Sequence, residues 1–328
     1  MKRSAAILAA ALCTASLLAS AQQNQAAMRQ IASRVELHPI PTLTLSDEEF
    51  LKGRGGKPAA VSGELRIAQG TGKIPTVILV HDSSGIGPGI ELWTHELNGM
   101  GISTFAIDGF TGRGLVTVGA DQAKLGRLNL ALDAYRALAI LAKHPRVDAE
   151  RIVLMGFSRG GQASLYASVK RFDRMWNKSG AHFAGYIAFY PDCMTTYQAD
   201  IEVMPVPVRI YHGSADDYNP LAPCRDYVTR LRSIGQDVVL TEYAQAHHAF
   251  DNPLGSPKPA PSRNSQTVRK CRIREDAKGV LVNTQTRQRF SYTDACVERD
   301  PHTGFDPDAT SEAIWSVGKF LKTTLKLQ

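Results

Sequence analysis

The chain has 328 residues and a formal net charge of +7, and charged residues make up 21% of it. The basic excess is modest for this length and no nucleic-acid recognition motif accompanies it, so we expect no nucleic-acid partner. Basic residues recur between positions 263 and 274, and we interpret them as the solvated face of a hairpin. The length is that of a single domain.

The first 21 residues predict a secretory signal peptide. Lys2 and Arg3 precede a short apolar stretch, residues 5–18, and the small residues 19–21 form a cleavage site. A membrane anchor would need about 20 apolar residues, and the large Leu12 before Cys13 argues against a lipoprotein site. We therefore expect a periplasmic or secreted protein without a membrane span, and cleavage would leave a net charge of +5.

Residues 22–60 are predicted to form an N-terminal extension. Ser46 followed by Glu49 has the spacing of a capping box, which predicts the start of a short helix. Residues 53–58 are rich in glycine and lysine, as in a linker. The main domain is therefore expected to begin near residue 61.

From residue 61 onward, strand and helix patterns alternate. Residues 75–80 are continuously apolar, which is typical of a strand buried in a parallel sheet, and 63–68 predict an edge strand. Between 121 and 143, large apolar residues recur every three or four positions and predict one long helix. Further strands are predicted at 102–107, 152–157, 184–189, 208–211 and 238–243, and further helices at 91–100, 160–171, 223–233 and 311–325. This alternation favours one doubly wound α/β domain, residues 61–328, with a mainly parallel sheet and helices on both faces.

Residues 252–308 interrupt the alternation. Pro257, Pro259 and Pro261 mark a loop near its beginning. We interpret the segment as an insertion before the last helix that serves either as a lid or as a stabilising flap.

Four cysteines would remain after signal cleavage, and an oxidising compartment favours two disulfides between them. Two short strands, beginning at Cys271 and at position 289, are predicted around the turn at 276–279 and would bring Cys271 close to Cys296. Cys193 would then pair with Cys224. Free thiols remain the alternative, and because the spacings match no zinc pattern, we expect no metal.

Gly156-Phe-Ser158-Arg-Gly160 lies between a predicted strand and a predicted helix. This G-x-S-x-G context is that of the nucleophile elbow of serine hydrolases. The turn strains the backbone at Ser158, and the flanking positions must lack Cβ atoms so that strand and helix can come close. A purely structural turn is the alternative, since a five-residue pattern also occurs by chance.

A serine nucleophile needs a histidine to take its proton and an acid to orient that histidine. Asp216 follows the strand at 208–211, and His248 follows the strand at 238–243. Active-site groups of open α/β sheets gather at this edge, in the chain order serine, acid, histidine. The alternatives are a turn closed by the Asp216 side chain and a polar loop end at His248.

The third requirement is an oxyanion hole. The loop after residues 75–80 contains Ser83, whose backbone N–H is predicted to be one donor, and the N–H of Arg159 the other. His81 and Asp82 are expected to shape this loop rather than react.

With these motifs in place, the chain resembles the dienelactone hydrolase family of α/β-hydrolases over residues 60–250 and the last helix. The segments that carry the resemblance are Ile107-Asp-Gly-Phe-Thr-Gly-Arg-Gly114, Asp133-Ala-Tyr-Arg-Ala-Leu138, Gly156-Phe-Ser-Arg-Gly-Gly161, Gly213-Ser-Ala-Asp216 with Pro220, and Ala246-His-His-Ala-Phe250. The family's patterns fall on Asp216 and His248, not on Asp217 and His247.

One departure from the family bears on the substrate. The family's name-giving enzymes open dienelactones with a cysteine nucleophile in the cytoplasm, whereas this chain has Ser158 and a predicted signal peptide. The resemblance therefore implies hydrolysis of an ester or lactone while arguing against dienelactone itself. Arg113 and Arg159 are candidates to bind a substrate carboxylate, with a structural salt bridge as the alternative for each.

The sequence thus predicts an exported serine hydrolase that cleaves small carboxylic esters or lactones through an acyl-enzyme, without metal or cofactor. A peptidase or amidase of the same fold is the alternative enzyme, although no gating domain supports it. A binding protein that keeps the fold without catalysis is the alternative from another class. The sequence does not reveal the oligomeric state.

Overall fold

The computed structural model describes residues 31–327. The predicted signal peptide lies outside these described residues. Within them, none of the helices combines the length and the apolar character that a membrane crossing requires.

An eight-stranded sheet forms the centre of the described chain. Its strands are β1 (Arg34–Thr44), β2 (Lys57–Ile67), β3 (Ile74–Val80), β4 (Ser103–Asp108), β5 (Val147–Phe157), β6 (Gly185–Phe189), β8 (Val208–Gly213) and β9 (Val238–Tyr243), and the two-residue β7 (Thr195–Thr196) lies outside it. The strand order is β1-β2-β4-β3-β5-β6-β8-β9. The β1–β2 and β2–β4 pairs are antiparallel and the other neighbours are parallel. This confirms the predicted doubly wound, mainly parallel sheet.

The centre of the sheet is buried on both faces. Every residue of β3 and of β6 is buried, which is why these strands read as continuous apolar runs. Because β3, β5, β6, β8 and β9 run parallel, their carboxyl ends meet at one edge of the sheet. The loops that follow these strands are therefore brought together.

The edge next to β2 differs from the prediction. Residues 63–68 were expected to form an edge strand, but β1 pairs with β2 along eleven residues and takes the edge itself. Two prolines, Pro39 and Pro41, interrupt the apolar pattern of β1, and proline is tolerated in a strand that has a neighbour on one side only. For this reason the sequence pattern did not predict a strand at β1.

Helices cover both faces of the sheet, as predicted. Trp93 and Val317 belong to a hydrophobic core on one face, and Leu132 and Leu165 belong to the core on the other. The helices are α1 (Asp47–Lys52), α2 (Pro88–Gly99), α3 (Asn129–Leu141), α4 (Arg159–Ala167), α5 (Lys170–Trp176), α6 (Leu221–Ser233) and α7 (Pro307–Thr324). At the start of α1, Ser46 and Glu49 form the predicted capping box.

Two predicted helices are shorter than expected. Residues 121–143 contain a 3₁₀ turn, Gln122–Lys124, and only then α3. Between them, Leu125 is extended with φ −142° and ψ 127°, and a Cβ atom at Gly126 would lie 2.5 Å from the carbonyl oxygen of Leu45. The chain therefore leaves the helical conformation where it passes Leu45. The helix predicted at 160–171 ends at residue 167, because Val169 is extended and forms a β-bridge with Val203.

Residues 252–306 precede α7 and contain short strands instead of long ones. The strands are β10 (Ala260–Pro261), β11 (Gln266–Thr267), β12 (Ile273–Glu275), β13 (Leu281–Asn283), β14 (Gln288–Arg289), β15 (Glu298–Arg299) and β16 (His302–Thr303). The turn at 276–279 joins β12 to β13, so the predicted partner strand at 289 is instead the third strand of this meander. Disulfides join Cys193 to Cys224 and Cys271 to Cys296, the pairs that the sequence favours.

The Cys271–Cys296 disulfide closes a segment of 25 residues with little regular structure. We expect replacement of both cysteines by alanine to lower the free energy of unfolding by about 3 kcal/mol, because the unfolded chain regains the freedom that the cross-link removes. Urea unfolding measures this loss. Treatment with a reductant should destabilise the wild-type protein more than the variant, in which the Cys271–Cys296 bond is already absent. An unchanged unfolding midpoint in the double variant would contradict the expectation.

Candidate active site

Ser158 lies at the tip of the turn between β5 and α4. Its backbone has φ 51° and ψ −111°, a left-handed conformation that is unfavourable for serine. A Cβ atom at Gly156 would lie 2.0 Å from the carbonyl oxygen of Gly160, and one at Gly160 would lie 2.1 Å from that of Val80. Only glycine fits at these two positions, as the sequence analysis expected. The turn presents the serine side chain at the carboxyl edge of the sheet.

His248 and Asp216 meet Ser158 at this edge. His248 Nε2 lies 2.9 Å from Ser158 Oγ, and His248 Nδ1 lies 2.8 Å from Asp216 Oδ2. All three residues are buried, with 4–5% of each exposed. The loops after β8 and β9 thus bring the predicted acid and histidine into one hydrogen-bonded chain with the serine.

The two oxygens of Asp216 have different partners. Oδ1 accepts the backbone N–H groups of Tyr218 and Asn219, each at 2.8 Å, while Oδ2 faces His248. The turn considered as the alternative for Asp216 is therefore present together with the histidine contact. His212 Nδ1 lies 3.9 Å from Oδ2, and burial lowers the pKa of His212, so that imidazole is neutral at pH 7. A carboxylate held in this way keeps its second oxygen directed at His248.

Two tyrosines that the sequence analysis did not assign enclose the imidazole of His248. Tyr218 stacks on it at a centroid distance of 4.5 Å, and Tyr190 contacts it edge-on at 4.7 Å. Aromatic contacts of this kind limit the orientations of the ring. Tyr190 directly follows β6 and Tyr218 comes two residues after Asp216, so the strand-end argument that found Asp216 also applies to them.

A buried carboxylate supports Tyr190. The Tyr190 hydroxyl donates to Asp251 Oδ1 at 2.6 Å, and Trp93 Nε1 donates to Asp251 Oδ2 at 2.7 Å. Burial raises the pKa of Asp251, although both hydrogen bonds favour its charged form. Asp251 therefore holds the tyrosine whose ring contacts His248.

The predicted oxyanion donors lie beside Ser158. Ser83 and Arg159 line a small cavity together with it, and Arg159 is the first residue of α4, where backbone N–H groups have no acceptor within the helix. The carbonyl of Ser83 accepts the N–H of Val118 at 2.9 Å, which holds its loop in place. His81 Nε2 accepts the N–H of Gly109 at 3.1 Å, in agreement with its expected role in shaping the loop.

Arg113 is not available to a substrate. Its guanidinium pairs with Asp133 at 2.7 and 2.9 Å and also donates to the Gly109 and Leu43 carbonyls and to the Thr44 hydroxyl. Its side chain is 2% exposed. The structure therefore shows the structural salt bridge, and the suggested substrate contact is wrong because every donor is used within the protein.

The Arg159 side chain is also held internally. It donates to Gln122 Oε1 at 2.7 Å and to the Leu125 carbonyl. Burial lowers the pKa of Arg159, and its Nε has no hydrogen-bond partner among residues 31–327. Its guanidinium thus lines the small cavity beside Ser158 while remaining anchored to the loop before α3.

One side-chain cluster has the composition of a metal site, away from Ser158. Glu36 Oε2 lies 3.1 Å from both His38 Nε2 and His144 Nε2. The backbone N–H of Arg146 donates to His144 Nδ1 at 3.2 Å, so this nitrogen carries the lone pair and Nε2 carries the proton. The protonated Nε2 donates to Glu36, and the three side chains form one hydrogen-bonded group.

Comparisons with known proteins agree with the fold. The model of the dienelactone hydrolase family matches residues 62–277. A crystal structure of a dienelactone hydrolase-like promiscuous phosphotriesterase from metagenomic libraries is 15% identical, with a TM-score of 0.55 over 88% of this chain and 98% of that chain. A structure called m3DLH is 19% identical, with a TM-score of 0.56 over 89% and 98%. At these identities the structural likeness concerns the fold alone, and no curated protein matches the sequence.

The burial of Arg113 and Asp133 predicts a role in stability. Arg113→Ala would leave the fully buried Asp133 carboxylate without its partner, and we expect the free energy of unfolding to fall by about 3 to 5 kcal/mol. Arg151→Ala is the control, because its pair with Asp148 is partly exposed and should contribute about 1 kcal/mol or less. Urea unfolding compares the two, and a raised KM at unchanged stability would instead place Arg113 at the substrate.

Asp251 predicts a pH-dependent difference between two variants. Asp251→Ala leaves the Tyr190 hydroxyl and Trp93 N–H without acceptors and should lower the free energy of unfolding by about 2 to 4 kcal/mol. Asp251→Asn keeps an acceptor for Trp93 and can donate to the Tyr190 oxygen, so its loss should be smaller.

The sign of the pH effect follows from the raised pKa of Asp251. Folded wild-type protein holds this proton more tightly than the unfolded chain, so its unfolding free energy falls as pH rises from the ordinary value of 3.8 to the raised one. The asparagine variant lacks this contribution, and its stability relative to wild type should therefore improve across that window and then stay constant. Urea unfolding between pH 4 and 8 tests this, and a relative stability that declines with pH would contradict it.

Proposed function

The chain belongs to the dienelactone hydrolase family, and on that premise we propose that it is an exported serine hydrolase that cleaves carboxylic esters or lactones through an acyl-enzyme. The observation that carries this proposal is the hydrogen-bonded chain from Ser158 through His248 to Asp216. An isolated serine hydroxyl is a weak nucleophile, and this arrangement supplies the base that activates it.

In the first half of the reaction, Ser158 Oγ attacks the carbonyl carbon while its proton passes to His248 Nε2. Asp216 stabilises the resulting imidazolium through Nδ1–H. In this proposal the backbone N–H groups of Ser83 and Arg159 receive the negative charge that develops on the carbonyl oxygen. The tetrahedral intermediate then collapses, the bond to the alcohol oxygen breaks, and that oxygen takes the proton from His248.

In the second half, water attacks the acyl group on Ser158 and gives its proton to His248. Collapse of the second tetrahedral intermediate breaks the bond to Ser158 Oγ, which recovers the proton, and the carboxylic acid is released. A lactone follows the same steps, with the alcohol remaining attached to the acyl group until hydrolysis.

Two features support export. The predicted signal peptide at residues 1–21 would direct the chain out of the cytoplasm, and the two disulfides suit an oxidising compartment. The serine nucleophile and this compartment both differ from the name-giving enzymes of the family. We therefore propose esters or lactones other than dienelactone as substrates.

The experiment pairs active-site labelling with neighbouring-residue controls. A fluorophosphonate probe should label wild-type protein at Ser158, and 4-nitrophenyl acetate should be hydrolysed with a burst of product. Ser158→Ala and His248→Ala should each lower kcat by about 10⁴-fold or more. His247→Ala is the matched control, because His247 adjoins His248 while the hydrogen bond to Ser158 Oγ comes from His248, and it should stay within a few-fold of wild type.

The outcomes separate this proposal from its rivals. Absence of labelling together with absence of turnover of short acyl esters would overturn it and favour a binding protein. Turnover of dipeptide amides in preference to esters would favour a peptidase. Equal losses of kcat in His247→Ala and His248→Ala would show that His248 contributes no more to the reaction than its neighbour.

A further inference from the structure

Ser158 lies between two cavities of different size. The smaller, of about 20 Å³, is lined by Ser83 and Arg159. The larger, of about 290 Å³, is lined by His248 as well as by Ser158. A volume of 20 Å³ has room for about one water-sized group, whereas the larger cavity approaches the size of sites for small molecules.

The position of His248 assigns the alcohol half of an ester to the larger cavity. His248 gives its proton to the departing alcohol oxygen, so the alcohol must lie on the side that His248 lines. The carbonyl oxygen, which turns toward the N–H groups of Ser83 and Arg159, then faces the smaller cavity.

The larger cavity is polar in an unusual way for its size. No aliphatic side chain larger than alanine is among its lining residues, whereas small-molecule sites are mostly lined by apolar groups. Hydroxyl groups take their place: those of Ser83, Ser84 and Thr303 have no hydrogen-bond partner within residues 31–327. The same holds for the Asn252 amide nitrogen. Free donors and acceptors therefore face the alcohol.

The wall that carries Thr303 and Asn252 is fixed to the site. The N–H of Gly304 donates to the His248 carbonyl at 3.1 Å, and Thr267 Oγ1 donates to the Tyr218 carbonyl at 2.6 Å. The N–H of His302 donates to Asp217 Oδ1 at 2.8 Å. The insertion thus holds its hydroxyl groups at set positions against the histidine and acid loops.

We propose that the substrate is an ester of a compact polyhydroxylated alcohol such as a sugar ring. This rests on the proposed function and names its substrate class. An alkyl alcohol would displace water from the free hydroxyl and amide groups without replacing the hydrogen bonds, which disfavours it. Substrate hydroxyls would replace them.

The test compares two acetate esters of six-membered rings: 6-O-acetylglucose, whose ring carries hydroxyl groups and a ring oxygen, and cyclohexylmethyl acetate, whose ring carries neither. We expect kcat/KM for acetate release to be at least about tenfold higher for the sugar ester, because a site built for hydroxyl groups rejects an analogue that lacks them.

Thr303→Val tests whether the preference for the sugar ester depends on the larger cavity. Valine has the shape of threonine without the hydroxyl. We expect it to lower the sugar-to-cyclohexyl ratio of kcat/KM about tenfold, as for loss of one well-placed hydrogen bond. Thr293→Val is the matched control, because Thr293 is an exposed residue of the same insertion that bonds only to Ser291, and it should leave the ratio unchanged.

Two results would overturn the inference: equal kcat/KM for the two ring esters, or an unchanged ratio in Thr303→Val. Labelling of Ser158 and turnover of 4-nitrophenyl acetate distinguish a wrong substrate class from a wrong proposed function. If both are present without the preference, only the substrate class is wrong. If both are absent, the proposed function fails as well.

Discussion

The close approach of α4 to the ends of β3 and β5 is the constraint on which the site depends. Ser158 adopts a left-handed backbone conformation, and the chain can turn so tightly only because Gly156 and Gly160 lack Cβ atoms that would overlap neighbouring carbonyl oxygens. The same turn places the first N–H groups of α4 beside the serine. A strained residue is retained here because strand and helix are each held by a buried core.

The parallel order of β5, β6, β8 and β9 then brings the remaining groups to that turn. Asp216 and His248 follow the last two of these strands, and Tyr190 follows β6. Hydrogen bonds hold the loops that carry Asp216 and His248 in position. The insertion bonds to the backbone at His248 and Tyr218, so it is a fixed wall of the site in this structure and also supplies part of the larger cavity.

The fold and the candidate nucleophile, acid and histidine could be predicted because their signals are local. An apolar strand, a glycine-flanked serine and polar residues at strand ends are each readable within a few positions. Other features depend on partners far away in the chain. β1 was missed because prolines interrupt the pattern of an edge strand. The predicted helix at 121–143 is divided where Leu125 is extended and Gly126 packs against the carbonyl of Leu45, far away in the chain. Arg113 was a candidate for binding a substrate carboxylate because nothing in the sequence identifies Asp133 as its partner.

The sequence by itself determined the α/β class, the family, and the order in which Ser158, Asp216 and His248 occur, because periodicity and short motifs record local backbone requirements. Tertiary structure alone decided which hydrogen bonds those residues make, which arginine is occupied, and which tyrosines enclose His248. It also decided the size and polarity of the two cavities beside Ser158. These properties arise where loops distant in sequence meet, and their geometry depends on packing that no single segment specifies.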